Sequence, residues 1–163
     1  MPPRNLNARS TTSSSARILL VDDNADGLSA RKCVLEELGH RISTAIGGTE
    51  ALEQFAPDKF DVVVTDYKMP SMNGKELIRR LRKLQPDLPV IMISGFSDTL
   101  GLDEKSTGAD TVIQKSNNEV SHLVRAVVRL LKRKPVAKFQ VTKKPMAAAA
   151  GASSQTGAIG GKR

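Results

Sequence analysis

The feature that most restricts the fold of this chain is a β-branched run, VVVT at residues 62–65, which ends on Asp66. The run does not alternate with polar residues, which is typical of a strand buried on both faces of a parallel sheet. Open α/β sheets bind ligands at the carboxyl ends of such strands, so Asp66 is a candidate functional residue. Taken alone, an aspartate here is more often a turn or cap residue, because its side chain bonds to nearby backbone N–H groups.

Four more short strands are predicted, and helical patterns separate them. The strands are expected at residues 18–21, 41–46, 90–93 and 111–114. Five helical segments alternate with the five strands, and the fourth, over residues 98–108, has few large apolar residues. Strands that alternate with helices form a parallel sheet with helices on both faces. The sequence therefore predicts an α/β fold with five strands and five helices.

Polar residues close four of the five predicted strands. They are Asp22 and Asp23 after the first strand, Asp66 after the third, Ser94 after the fourth and Lys115 after the fifth. Singly, each has an ordinary explanation as a helix cap, a turn hydroxyl or a surface lysine. Right-handed crossovers bring the carboxyl ends of all strands to one edge of the sheet, which favours a shared site over five coincidences.

The side chains at this edge predict phosphoryl transfer to an aspartate. Three carboxylates with no His or Cys nearby suit a hard cation such as Mg²⁺. Because the carboxylates repel one another, a divalent cation or an ammonium group is needed to keep them ionised. Lys115 supplies the ammonium, and Ser94 offers a hydroxyl donor. A carboxylate nucleophile, Mg²⁺ and a lysine are the usual parts of such a transfer.

The net charge of +8 belongs to the ends of the chain. Residues 17–131 carry 15 Lys/Arg and 17 Asp/Glu, whereas residues 132–163 carry eight basic and no acidic residues. A domain over 17–134 is predicted, between a disordered tail at 1–16 and a disordered basic tail at 135–163. The basic tail is interpreted as a solvated linker or as an attachment segment for an acidic partner. Nucleic acid is a weak candidate, because Phe139 is the only aromatic residue in that tail.

Composition favours a cytoplasmic protein. No apolar run approaches the roughly 18–20 residues that a membrane span needs, and the N-terminus lacks the apolar segment of a signal peptide. The single cysteine, Cys33, excludes an internal disulfide framework and fits a reducing compartment. Because Cys33 lies among apolar residues of a predicted helix, we expect it to be packed rather than reactive.

Together these motifs resemble the receiver domain of response regulators in two-component signalling. They are DD after the first strand, D-x-x-M-P-x-M-x-G at the third, S-G after the fourth and K after the fifth. The resemblance covers about residues 17–133. It implies a doubly wound, flavodoxin-like fold with strand order 2-1-3-4-5. It also implies that a histidine kinase or a histidine phosphotransfer protein phosphorylates Asp66.

The resemblance also implies a role for each site residue. Mg²⁺ would be held by Asp23, Asp66 and the backbone carbonyl of Lys68, with Asp22 acting largely through water. Ser94 would be the switching hydroxyl and Lys115 the lysine that contacts the phosphoryl group.

The function that follows is a stand-alone phospho-accepting switch rather than an enzyme with turnover. Its downstream target cannot be named from the sequence. An aspartyl-phosphate phosphatase is a poor alternative. Similar enzymes have a second aspartate two residues after the nucleophile, and Lys68 occupies that position here. A pseudo-receiver, which docks partners without phosphorylation, is the other alternative.

Three positions depart from the family pattern. Ser116 follows Lys115 where the family usually has a cis proline, so a trans bond is expected, because a cis bond before a non-proline residue costs about 2.5–4 kcal/mol. Val112 stands in place of the switch aromatic residue. Phe96 stands where many members have a polar residue.

We predict that Phe96→Glu shortens the lifetime of a phosphoryl group on Asp66 at least several-fold. A phenyl ring cannot hydrogen-bond the water that must align with the O–P bond, and a protonated Lys68 cannot accept that water's proton. The measurement is the decay of phosphorylated protein after the donor is removed. Wild-type decay within seconds, or a variant that is no faster, would contradict the prediction.

Overall fold

A computed structural model describes residues 15–95 and 100–133 of the chain. Strands and helices alternate along it as β1 (Arg17–Val21), α1 (Ala25–Glu37), β2 (Arg41–Ala45), α2 (Gly48–Phe55), β3 (Val62–Asp66), α3 (Gly74–Leu84), β4 (Val90–Ser94), α4 (Glu104–Thr107), β5 (Thr111–Gln114) and α5 (Glu119–Arg133). The strands form one parallel sheet in the order β2-β1-β3-β4-β5. The predicted fold and strand order are confirmed.

Both faces of the sheet are covered, as the non-alternating strands predicted. Successive strand residues point to opposite faces, so each strand contributes to two hydrophobic clusters. One cluster packs the sheet against α2 and α3, and includes Leu19, Val63, Met92, Phe55, Leu77 and Leu81. The other packs it against α1 and α5, and includes Leu20, Val64, Ile93, Leu35, Leu123 and Val127. All five residues of β3 are buried, which places Asp66 at the end of the central strand.

The predicted tails fall almost entirely outside the described residues. Ala16 is an exception: it is 4% exposed, and its carbonyl accepts a hydrogen bond from Arg41 N–H at 2.8 Å. Packing therefore begins one residue before β1. None of the helices within the described ranges is long and apolar enough to cross a membrane.

The expectation that Cys33 is packed is wrong, because its side chain is exposed. The buried residues of α1 are Leu28, Arg31 and Leu35, which follow one another at spacings of three and four. Cys33 lies two residues from both Arg31 and Leu35, and a rotation of about 200° per two residues turns it to the opposite side of the helix.

The continuous helix predicted over residues 98–108 is also wrong in its described part. Gly101 has φ +59°, and a separate short helix, α4, begins after Asp103. The Asp103 side chain accepts a hydrogen bond from Ser106 N–H at 2.7 Å, and the Ser106 hydroxyl accepts one in return from Asp103 N–H at 3.1 Å. This capping box starts a new helix where the apolar pattern was too weak to show a break.

The start of α3 is pressed against the end of β3. Gly74 N–H donates to the Tyr67 carbonyl at 2.8 Å, and Asn73 caps the helix by accepting from Glu76 N–H at 2.9 Å. A Cβ atom at Gly74 would overlap the Asp66 carbonyl oxygen and lie 3.1 Å from Tyr67 Cα. Glycine is therefore required at this point by close approach of two backbone segments.

We predict that Gly74→Ala lowers the free energy of unfolding by about 1–3 kcal/mol, because backbone atoms must shift to admit the methyl group. Gly47→Ala is the matched control, since its backbone is extended (φ 179°) and no heavy atom lies within 4 Å of the added carbon. Chemical denaturation of both variants gives the comparison. Equal unfolding free energies for the two variants would refute the close-approach argument.

Candidate functional site

The carboxyl edge of the sheet forms an open cleft. The segments that leave β1, β3, β4 and β5 line it with Asp22, Asp23, Asn24, Asp66, Lys68, Met69, Pro70, Gly95 and Lys115. Carboxylate oxygens of Asp22, Asp23 and Asp66 lie within 4.8 Å of one another. The structure therefore brings together the three acidic residues and the lysine that the sequence placed at separate strand ends.

Asp66 is one of two buried carboxylates in this cleft, the other being Asp22. Asp66 is 4% exposed, and its Oδ2 accepts a hydrogen bond from Lys68 N–H at 3.0 Å. Its Oδ1 lies 2.7 Å from Lys115 Nζ, with which it forms an ion pair. Apart from this ion pair, the buried Oδ1 has no hydrogen-bond partner among the described residues. Such an atom is costly to bury unless a ligand or an ion completes its surroundings.

The pKa of Asp66 is raised above its ordinary value. Burial is the largest cause, and the nearby charge of Asp22 adds to it. The Lys115 ammonium and the Lys68 N–H oppose the shift without cancelling it. The protein thus stabilises the negative charge of Asp66 only in part. This is what is expected of a carboxylate that binds a cation or is covalently modified.

Asp22 and Asp23 differ in how the fold holds them. Asp22 is 2% exposed, and its Oδ1 accepts from Asn24 N–H at 2.9 Å. Its Oδ2 accepts from Arg31 Nη1 at 2.6 Å and lies 4.0 Å from Lys115 Nζ. Asp23 is exposed. Asp22 is therefore fixed by protein partners, whereas Asp23 faces the open side of the cleft.

Arg31 was not predicted from the sequence as part of the site. It is 6% exposed and donates from Nε to Glu119 Oε1 at 2.6 Å, in addition to its bond with Asp22. Burial acts to lower the pKa of Arg31, but the hydrogen bonds that it donates to Glu119 and Asp22 outweigh burial and raise the pKa. The available signal was its position, three residues after Leu28 and four before Leu35, on the apolar face of α1.

Ser94 and Lys115 end neighbouring strands. Ser94 is 1% exposed and pairs in register with Gln114, and Lys115 N–H donates to the Ser94 carbonyl at 2.9 Å. Gly95 lines the cleft directly after the buried Ser94. The Lys115 side chain is 38% exposed and reaches into the cleft.

The departures from the family pattern have different outcomes. No peptide bond among the described residues is cis, so Lys115–Ser116 is trans as expected. Val112 is half-buried and packs against the cluster under α2 and α3. Phe96 lies outside the described residues. The exposed Lys68 lines the cleft and uses its N–H on Asp66, while the expected role of its carbonyl stays a prediction.

The donor set fits a hard divalent cation of the Mg²⁺ class. It consists of carboxylate oxygens only, it includes an oxygen of the buried Asp66, and it lies in an open cleft. Magnesium prefers such oxygen ligands and keeps several waters, for which the exposed Asp23 leaves space.

We predict that Asp66→Asn stabilises the metal-free protein at neutral pH by about 1 kcal/mol. A carboxyl group with a raised folded-state pKa contributes stability below its unfolded-state pKa and loses it as the pH rises through the folded-state value. The gain should therefore be present at pH 7 and absent below about pH 3, where the wild-type carboxyl is protonated. Urea denaturation at both pH values measures it; a gain that does not depend on pH would contradict the charge argument.

Comparison with known proteins agrees with this geometry. The family model described as the response regulator receiver domain matches residues 18–128. The solved response regulator TrrA of Thermotoga maritima, in complex with Mg(2+)-BeF, is 35% identical with a TM-score of 0.65, over 71% of this chain and 98% of that one. The receiver domain of Francisella response regulator 1452 is 31% identical with a TM-score of 0.67, over 74% and 100%.

Curated relatives differ in length. The transcriptional regulatory protein PrrA of Mycobacterium leprae is 35% identical over 125 residues, which are 74% of this chain and 52% of PrrA. The response regulator receiver protein CpdR of Brucella abortus is 29% identical over 71% of this chain and 96% of CpdR. The chain thus spans about half the length of relatives such as PrrA and nearly all of CpdR. By its family match, its strand order and its acidic cleft, this chain belongs to the response regulator receiver domains of two-component signalling.

Proposed function

We propose that this chain accepts a phosphoryl group on Asp66 in a Mg²⁺-dependent transfer from a histidine kinase or a histidine phosphotransfer protein. The observation that carries this proposal is the state of Asp66 Oδ1. That oxygen is buried, and apart from the Lys115 ammonium 2.7 Å away it has no partner among the described residues. It is a nucleophile with a counter-charge already beside it.

The transfer forms a bond between Asp66 oxygen and phosphorus, and breaks the bond between phosphorus and the donor histidine nitrogen. Asp66 Oδ2 stays on the Lys68 N–H, which fixes the direction in which Oδ1 points. Lys115 leaves its ion pair with Oδ1 and follows the charge onto the phosphoryl oxygens. Ser94 donates its hydroxyl to one of those oxygens, which draws the end of β4 toward the modified side chain.

Magnesium would be held by Asp23, Asp66 and the Lys68 carbonyl, with Asp22 acting through water, and would neutralise charge on the transferring group. The protein positions groups and balances charge but does not turn over a substrate, so we propose a switch rather than an enzyme. The phosphatase alternative lacks its second acid, because Lys68 occupies that position and is exposed.

The proposed setting is a stand-alone receiver in the cytoplasm. Support comes from CpdR, a receiver protein nearly all of whose length this chain covers. The basic residues of 135–163 are proposed to attach the protein to an acidic partner.

A pseudo-receiver that docks partners without phosphorylation is the second candidate. It is favoured by Val112, which fills the switch-aromatic position and packs against the cluster under α2 and α3. Phosphorylation that leaves partner binding unchanged would support this candidate over the switch.

We predict that acetyl phosphate with Mg²⁺ adds one phosphoryl group, about 80 Da by intact mass, and that a chelator prevents the addition. Asp66→Asn should abolish the added mass. Asp58→Asn is the matched control, because Asp58 is a half-exposed carboxylate paired with Arg17 rather than with the cleft residues. Equal labelling of the Asp66→Asn variant would refute the assignment of the acceptor.

A further inference from the structure

One guanidinium joins the acidic cleft to the start of α5. Arg31 Nη1 donates to Asp22 Oδ2, and Arg31 Nε donates to Glu119 Oε1, each at 2.6 Å. The three side chains are only 8%, 2% and 13% exposed. Glu119 is the first residue of α5, so the pairing crosses from α1 to α5 behind the cleft.

The local structure of α1 leaves room for this guanidinium. Gly27 lies one turn before Arg31, and a Cβ atom there would lie 3.3 Å from Arg31 Nη1 and 3.4 Å from Asp22 Oδ2. The contact with Asp22 is an ordinary one, and the contact with Arg31 would require the guanidinium to shift by a few tenths of an ångström. Gly27 lies in the first turn of α1, where its N–H donates to the Asn24 side chain, and its lack of a side chain leaves the guanidinium free of this contact.

The pairing changes what a cation meets in the cleft. Asp22 has partners on both oxygens before any cation arrives, Asn24 N–H on Oδ1 and Arg31 on Oδ2. Without Arg31, the nearest positive charge to this buried carboxylate would be Lys115 Nζ at 4.0 Å. Breaking a buried ion pair by removing one partner is strongly destabilising, because the other charge stays buried.

We propose that Arg31 is a built-in counter-ion that supports the acidic cleft when it is empty and lowers its affinity for the divalent cation. Glu119 sets the strength of this effect, because it competes with Asp22 for the same guanidinium. The inference rests on the proposed function, since it concerns the cation proposed for phosphoryl transfer, and it makes Arg31 a positioning residue that does not touch the reacting atoms.

Two effects of Arg31 act in opposite directions on a bound cation. By fixing Asp22, Arg31 favours binding; by its charge, it repels the cation across Asp22. We infer that the second effect is larger, because Asp22 is proposed to act through water, so its exact placement matters less than the guanidinium charge, which Glu119 shares with Asp22. Coulomb repulsion of that kind, at an effective dielectric constant of about 20, changes affinity by roughly tenfold or more before screening.

The test is calorimetric titration of the full chain with MgCl₂ in the absence of any phosphoryl donor. Arg31→Met should bind Mg²⁺ about tenfold more tightly than wild type, and at least about threefold after screening by salt. Arg31→Lys should return the affinity to within about twofold of wild type, since it restores the charge. Asp26→Asn is the control for an exposed carboxylate at the start of α1 and should change little.

Glu119→Gln tests the same role of Arg31, but the expected change in Mg²⁺ affinity has the opposite sign. This variant keeps Arg31, so it remains a test if Arg31→Met does not fold without the metal. Freed from Glu119, the guanidinium should hold Asp22 more strongly, and Mg²⁺ affinity should fall about two- to threefold. In the double variant with Arg31→Met, the effect of Glu119→Gln should largely disappear, as a double-mutant cycle would show.

Unchanged or weaker Mg²⁺ binding by a folded Arg31→Met variant would overturn the counter-ion role, as would unchanged or tighter binding by Glu119→Gln. If the wild-type protein binds Mg²⁺ and accepts phosphate, and both variants have the same Mg²⁺ affinity as wild type, this inference alone is overturned. Wild type that neither binds Mg²⁺ nor accepts phosphate would overturn the proposed function, and this inference with it.

Discussion

The confinement of negative charge at the carboxyl edge of the sheet is the constraint on which the rest of the site depends. Asp22 and Asp66 are both almost fully buried, and their oxygens lie within a few ångströms of each other and of Asp23. Such a cluster is unfavourable without positive charge nearby. Among the described residues, Lys115 at the end of β5 pairs with these carboxylates from the open side of the cleft, and Arg31 of α1 pairs with Asp22 from behind it.

The parallel sheet explains why this charge is concentrated at one place. Every crossover returns the chain so that the next strand ends at the same edge, and buried strands leave their first polar residue there. β3 lies between β1 and β4, which gives Asp66 neighbours from both directions. The site is thus a product of topology, and the side chains that converge on it are separated by up to about ninety residues of sequence.

Much of this could be predicted from the sequence, because the signals were local. Non-alternating apolar runs marked β1, β3 and β4, and the strand order followed from the family resemblance carried by the motifs around Asp66. Three features were not predictable in that way. Arg31 is buried beside Glu119, which is 88 residues away in the sequence. Cys33 is exposed because the true buried face of α1 includes that arginine, and α4 is separated from the preceding residues by a capping interaction that leaves no apolar signature.

The close contact between Gly74 and the Asp66 carbonyl makes one wall of the cleft stiff. Asp66 is held on its strand by β4 at Ile93, and Tyr67 N–H donates to the Ile93 carbonyl at 2.8 Å, while α3 closes on the same backbone from the other end. The main chain at Asp66 is therefore held by backbone contacts on both sides. Bulk added to its side chain can be accommodated only by yielding parts across the cleft, where Lys115 is more than a third exposed and Gly95 carries no side chain. We therefore expect any rearrangement that follows modification of Asp66 to begin on the Lys115 and Gly95 side of the cleft rather than at the start of α3.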